Sequence, residues 1–170
     1  MVKVMVVDDH PMWRDAVERD LQAAGHDVVA VAANGREAMA RFPASAPQVV
    51  VLDLQLPDNT GVQVTSMMLE HDPTARVLIL SASGEQGDVL EAIKAGATGY
   101  MVKSASSAEL IDAVVRTSEG EAVFTPGLAG LVLSHRTVQN HVQNTLRKLQ
   151  MNNRVQLTRW AIEHGLDEAE

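Results

Sequence analysis

The chain has 170 residues, 46% of them hydrophobic and 21% charged, and a formal net charge of −8. That balance suits a soluble globular protein of one domain, or one domain with a small appendage. Cysteine is absent, which excludes a disulfide framework, a thiol nucleophile and Cys-ligated zinc, and fits a reducing cytoplasm.

In chain order, Lys3–Val7 reads as a short buried strand that ends at Asp8-Asp9-His10. Pro11 suits the first position of a helix. Trp13, Val17 and Leu21 then give it an apolar stripe ending near Gly25. Asp27–Ala32 is a second strand. Asn34-Gly35 caps a short helix through Ala38, Met39 and Phe42, and Pro43 and Pro47 are expected to bracket a loop. The run Val49-Val50-Val51-Leu52 leads straight into Asp53. Continuous apolar runs of this kind mark strands buried on both faces, as in parallel sheets. Pro57 to Gly61 marks a turn, followed by a helix from about Val62 to Glu70.

Arg76–Ser81 is the fourth strand. A helix over Asp88–Ala95 is stopped by Gly96, and Thr98–Val102 is a short fifth strand ending at Lys103. Ser106 or Ser107 caps a helix carrying Leu110, Ile111, Val114 and Val115, closed near Gly120. Five β-α alternations in about 120 residues predict a parallel sheet covered by helices on both faces. No apolar run is long enough to span a membrane and no secretory pattern precedes the first strand, so a cytoplasmic protein without a membrane partner is expected.

Beyond this point the charge changes sign. Residues 1–121 hold nine Lys/Arg and eighteen Asp/Glu, whereas residues 122–160 hold five basic residues and no acid. Such a break implies two segments with different partners. Glu121–Leu133 reads as a connection. Ser134 then caps a helix over His135–Leu149 with Val138, Val142, Leu146 and Leu149 on one face, and Arg154–His164 forms a last helix.

In such a sheet the strand C-termini share one edge, where ligands bind. Asp8, Asp9, Asp53, Ser81 and Lys103 all fall there. Taken singly each has an ordinary explanation: a helix N-terminal charge pair, a turn serine, a surface lysine. Taken together, three carboxylates crowded at one edge need a cation, because like charges at short range raise one another's pKa. A hard divalent ion such as Mg²⁺, with carboxylate, water and phosphate ligands, answers that need. A carboxylate beside Mg²⁺ is also a nucleophile that forms acyl phosphates. Lys103 and the Ser81 hydroxyl would then hold the phosphoryl oxygens.

These residues resemble the receiver domain of bacterial two-component response regulators. The likeness covers about residues 1–120. It rests on Val4–Val7 before Asp8-Asp9-His10, Asp53 before Leu54 and Pro57, Leu80-Ser81-Ala82, and Gly96-Ala97-Thr98-Gly99-Tyr100 ahead of Lys103. The resemblance implies a flavodoxin-like, doubly wound, five-stranded parallel sheet of order 2-1-3-4-5. It makes Asp53 the phosphoacceptor for a sensor histidine kinase. It makes Asp9, Asp8 (largely through water), Asp53 and the backbone carbonyl of Gln55 the Mg²⁺ ligands. Ser81 and Tyr100 become the switch pair, Tyr100 moving into space that Ser81 vacates, and Lys103 the phosphate-binding lysine. One departure is Ser104, which stands where many receivers carry proline after the lysine; a cis bond without proline costs about 2.5–4 kcal/mol.

The segment Ser134-His135-Arg136-Thr137-Val138-Gln139-Asn140-His141-Val142, with Arg147-Lys148-Leu149 and Asn153-Arg154, resembles the end of a LuxR/NarL-type helix-turn-helix domain. The likeness covers about 134–166 and implies base contacts from Gln139, Asn140 and Gln143. It also places Arg136, Thr137, Arg147, Lys148 and Arg154 among the DNA-binding residues, and makes the last helix a homodimer contact. The expected division is a receiver over 1–120, a linker over 121–133, and over 134–170 a short all-α segment. That segment is a partial helix-turn-helix, lacking the two helices that normally precede the recognition helix. An internal deletion near Leu133/Ser134, residues left out of the chain, and a remnant packed elsewhere all stay open.

The function implied is a phosphorylation-switched transcription regulator, not an enzyme. The alternative is a receiver acting by self-association only. An aspartyl phosphatase would want an acid where Gln55 stands. A cobalamin-binding module would begin Asp8-x-His10 but needs glycine at Trp13. Trp13, Met5, Met67, Met68 and Met101 are read as packing residues.

Overall fold

The computed structural model describes residues 1–124. The expected segment 134–170, and with it Arg136, Thr137, Gln139, Asn140, Gln143, Arg147, Lys148 and Arg154, lies outside the described residues.

The order of elements is β1 (Lys3–Val7), α1 (Pro11–Ala23), β2 (Asp27–Ala32), α2 (Gly35–Ser45), β3 (Val49–Asp53), α3 (Gly61–His71), β4 (Val77–Ser81), α4 (Gln86–Ala95), β5 (Gly99–Val102), α5 (Ser107–Ser118) and β6 (Val123–Phe124). All strand pairs are parallel, in the order β2-β1-β3-β4-β5-β6. The expected 2-1-3-4-5 order holds, and β6 adds a sixth strand. Its two residues pair Val123 with Gly99 and Phe124 with Tyr100. Two residues carry no readable period, so this strand exists only because β5 offers a free edge.

β3 and β4 are buried at every position, as the apolar runs require of central strands. Side chains alternate across the sheet. Val4, Val6, Val49, Val51, Leu78, Leu80 and Met101 meet Val17 and Leu21 of α1 and Leu110, Ala113 and Val114 of α5 in one core. The opposite set, Met5, Val7, Val50, Leu52 and Ile79, is equally buried. That face carries α2, α3 and α4, which pack side by side. The core is therefore mainly aliphatic, as an aromatic content of 3% requires, with Tyr100 and Phe42 its buried aromatics.

Local chemistry sets most helix boundaries. Asn34 caps α2 by accepting from the Glu37 N–H at 2.8 Å. Thr60 with Gln63, and Ser106 with Glu109, form complete capping boxes on α3 and α5. Gly96 ends α4 at φ +99°, a conformation that favours glycine. Pro43 departs from expectation: it lies inside α2, which continues to Ser45. Proline removes one N–H and so loses one backbone bond. Here that loss falls in the last turn, and Ala46 closes the helix by donating to the Phe42 carbonyl at 3.2 Å. No peptide bond among the described residues is cis, so the Lys103–Ser104 bond is trans.

The loop after Asp53 is tightly built. The Gly61 N–H donates to the Leu54 carbonyl at 2.6 Å, and Gln55 bridges Thr60. A Cβ on Gly61 would lie 2.4 Å from the Asp53 carbonyl oxygen and 2.8 Å from the Leu54 Cα. Both are backbone atoms that cannot swing aside. Gly61→Ala is expected to lower stability by about 1–3 kcal/mol, the usual range for overpacking. A denaturant midpoint equal to that of the wild type would show that the loop yields freely.

Candidate functional site

The C-terminal ends of β1, β3, β4 and β5 meet at one edge of the sheet. Val7 pairs with Leu52 in register, so the residues that follow, Asp8 and Asp53, emerge side by side. Both carboxylates are buried, at 4% and 5% exposure. The Lys103 ammonium lies between them, 2.7 Å from Asp8 Oδ2 and 2.8 Å from Asp53 Oδ2. Lys103 is aimed by its backbone, since its N–H donates to the Ser81 carbonyl at 2.7 Å.

Around this bridge stand the other candidates. Asp9 Oδ1 is buried and accepts no well-directed hydrogen bond, although His10 Nδ1 lies 2.8 Å away. Ligand atoms of Asp8, Asp9, His10 and Asp53 all fall within 4.8 Å of one another. A pocket of about 240 Å³ opens beside them, lined by His10, Asp53, Gln55, Ser81, Ala82, Ser83 and Lys103. The Gln55 N–H reaches Asp53 Oδ1 at 3.3 Å. The Ser81 side chain accepts from the Ser83 N–H at 3.1 Å. Tyr100 does not line the pocket. It is fully buried, and its hydroxyl donates to the Ser83 carbonyl at 2.7 Å.

Three residues here escaped the sequence reading. His10 follows the acid pair directly, and that adjacency was its only signal. Trp13 has the spacing of a packing residue, yet it is 38% exposed, and its ring lies 5.5 Å from the Lys103 ammonium. Asp58 accepts from the Gly35 and Arg36 N–H groups at 2.8 and 2.9 Å, tying the β3–α3 loop to the start of α2. Those two bonds hold its carboxyl below the usual range.

Burial raises the Asp53 pKa, while the hydrogen bond and charge of Lys103 pull it down and Asp8 pushes it up again. Burial depresses the Lys103 pKa, but the bonds and charges of Asp53 and Asp8 outweigh it, so the net shift is upward. The stability that Lys103 contributes is thus present below 10.5 and is lost as pH rises through its higher folded value. Removing the ammonium would leave two adjacent buried carboxylates with no countercharge. Lys103→Met is expected to cost about 3–5 kcal/mol at neutral pH in metal-free buffer. The Asp53 pKa, already raised by burial, would then rise further, because the lowering effect of Lys103 would be gone. The penalty would shrink as pH falls through the raised folded value of Asp53, because that carboxyl then takes up a proton in the fold. Denaturation curves at pH 7 and pH 4 check this; equal losses at both would show that the charges are not responsible.

Comparison with known proteins bears on the same edge. Residues 4–115 match the response regulator receiver domain family, and residues 129–161 match bacterial regulatory proteins of the luxR family. The response regulator protein VraR of Staphylococcus aureus is 28% identical, the match covering 97% of this chain and 98% of VraR. That alignment runs over 205 positions, and 97% of 170 residues is about 165, which leaves about 40 positions opposite gaps in this chain. Among solved structures, the signal receiver domain of the putative response regulator NarL from Mycobacterium tuberculosis is 35% identical with a TM-score of 0.68, covering 71% of this chain and 98% of that one. A two-component response regulator of the LuxR family from Aurantimonas sp. is 34% identical with a TM-score of 0.74, covering 81% and 99%. Among the described residues no helix is long and apolar enough to cross a membrane. The chain belongs to the LuxR-type two-component response regulators, with a receiver domain at residues 4–115 and a luxR-family segment at residues 129–161.

Proposed function

We propose that Asp53 accepts a phosphoryl group from a sensor histidine kinase and that this event switches a DNA-binding transcription output. The observation that carries the reading is the Lys103 ammonium shared by two buried carboxylates at the mouth of a small polar pocket. Such a cluster is costly to bury and adds little net stability, so its presence argues for chemistry.

The residues fit Mg²⁺. Asp8, Asp9 and Asp53 offer a close set of oxygen ligands, and the buried Asp9 Oδ1 has no well-directed donor. The Gln55 carbonyl would complete the protein's share. Bound there, Mg²⁺ would supply charge neutralisation for the phosphoryl oxygens. The chain's own residues do the rest. An Asp53 carboxylate oxygen attacks phosphorus in line; a P–O bond forms as the P–N bond to the donor histidine breaks, and the histidine nitrogen keeps the bonding pair. Lys103 turns from Asp53 toward the phosphoryl oxygens, and the Ser81 hydroxyl donates to one of them.

Ser81 also holds the Ser83 N–H, and Ser83 holds the Tyr100 hydroxyl. A shift of Ser81 toward the phosphoryl group is thereby passed to Tyr100 and to the surface of α4 and β5. A homodimer contact on that surface would respond by population shift. The domain division proposed is receiver 1–120, linker 121–133 and a DNA-binding remnant over 134–170, with β6 drawing the start of the linker into the sheet.

The gap of about 40 positions against VraR favours a second reading of the output. A recognition helix without the helix that braces it is poorly set for the major groove. The receiver would then act chiefly through self-association, with DNA binding disabled.

Two measurements test these readings. Asp53→Asn is expected to abolish the mass gain of one phosphoryl group on incubation with acetyl phosphate and Mg²⁺; undiminished labelling would remove Asp53 from its role. The wild-type chain, phosphorylated normally, is expected to bind promoter DNA weakly or not at all in fluorescence anisotropy. Tight binding that falls steeply with added salt would instead support an intact DNA-binding output.

A further inference from the structure

Trp13 opens the apolar stripe of α1, but it does not share that stripe's burial. Val17 and Leu21 are 3% and 0% exposed, whereas Trp13 is 38% exposed. Core packing alone does not account for a large aromatic at this position. What the ring does touch is Lys103, whose ammonium lies 5.5 Å from its centroid. That separation is within the range of attraction between a cation and an aromatic face, for which indole is the best ring.

The environment favours such an interaction. The Lys103 side chain is only 9% exposed, so the ammonium has few waters to compete with the ring. Two of its directions are taken by Asp8 and Asp53. The base of α1 is also fixed. The Arg14 guanidinium donates to the Asp8 carbonyl at 3.0 Å, and the Arg14 N–H donates to the His10 carbonyl at 3.0 Å. The indole is thus presented from a helix turn anchored to the acid pair itself.

Resting on the phosphoacceptor reading above, we propose that Trp13 is a positioning residue for Lys103. Both carboxylates that hold the ammonium are also the proposed metal ligands, so Lys103 must give up part of their hold when the site is loaded. The indole face is a partner that carries no ligand role and stays in place. It keeps the ammonium at the pocket mouth, turned toward the incoming phosphoryl oxygens, where a free lysine would swing into solvent.

The test compares Trp13→Phe and Trp13→Leu in the full chain by two measurements. In the first, the rate of phosphorylation by acetyl phosphate with Mg²⁺ is expected to fall about 3- to 10-fold in Trp13→Leu, with Trp13→Phe between it and the wild type. The thermal midpoints should stay close to that of the wild type. In the second, Lys103 is modified with an amine-reactive reagent and quantified by peptide mass spectrometry, with saturating Mg²⁺ and without phosphodonor. Its labelling should rise severalfold in Trp13→Leu and less in Trp13→Phe. If the wild type takes no phosphate, the phosphoacceptor reading fails, and Lys103 labelling still decides the role of Trp13. Unchanged Lys103 labelling in Trp13→Leu overturns the proposal. So does a rate loss equal in both variants and matched by an equal loss of stability, which would make the ring a packing element only.

Discussion

Everything at the functional edge depends on one ammonium shared between two buried carboxylates. Asp8 and Asp53 are neighbours because β1 and β3 pair in register up to Val7 and Leu52. Two acids so placed repel each other and lose hydration together. Lys103 reaches them from β5, two strands beyond β3, and its own backbone bond to the Ser81 carbonyl sets its starting point. The contact therefore requires the whole order β1-β3-β4-β5 to be correct. No local stretch of the chain could assemble it alone.

The same ammonium explains how the edge can be both folded and reactive. A cluster with its countercharge in place avoids the several kcal/mol that uncompensated buried ions would cost. Yet the countercharge sits on a flexible four-carbon stem, so it can change partners without a backbone rearrangement. In the proposed chemistry the acids pass from lysine to metal and phosphoryl ligands, and the charge is never left unpaired. The fixed parts lie one layer behind. Gly61 lets the loop after Asp53 press against the strand end, and Asp58 ties that loop to α2.

The sequence reveals these parts unevenly, for physical reasons. The run from Val49 to Asp53 announces a central strand, because burial on both faces leaves no room for polar alternation. The acids, Ser81 and Lys103 are legible because strand ends mark the ligand edge of a parallel sheet. Pro43 misleads because proline's cost depends on how many turns follow it, and here almost none do. β6 is hidden because two residues have no period, and its reality lies in the free edge of β5. Trp13 misleads because four-residue spacing cannot distinguish a ring on the core from one at the helix's first turn, beside the pocket. Asp58 ties a loop to the first turn of a helix, and separation in sequence hides such bonds altogether.

Where a signal would leave the site also follows from local bonding. α2, α3 and α5 each begin with a side-chain cap, worth about 1 kcal/mol apiece. α1 lacks one, but Pro11 and the Arg14 bond to the Asp8 carbonyl secure its start. α4 has neither device. Glu85 makes no capping bond, Gly84 precedes it, and Gly87 lies within the first turn. The loop that feeds it is held by short serine contacts: Ser81 to Ser83, and Ser83 to Glu85. The Tyr100 hydroxyl fastens that loop to β5 through the Ser83 carbonyl. A displacement of Ser81 therefore meets least resistance along the path to α4. The sheet, whose central strands are wholly buried, gives almost nothing. The weakest helix start in the domain stands directly after the strand that carries Ser81, the proposed switch hydroxyl, and this is the arrangement a local chemical event needs to become a change of surface.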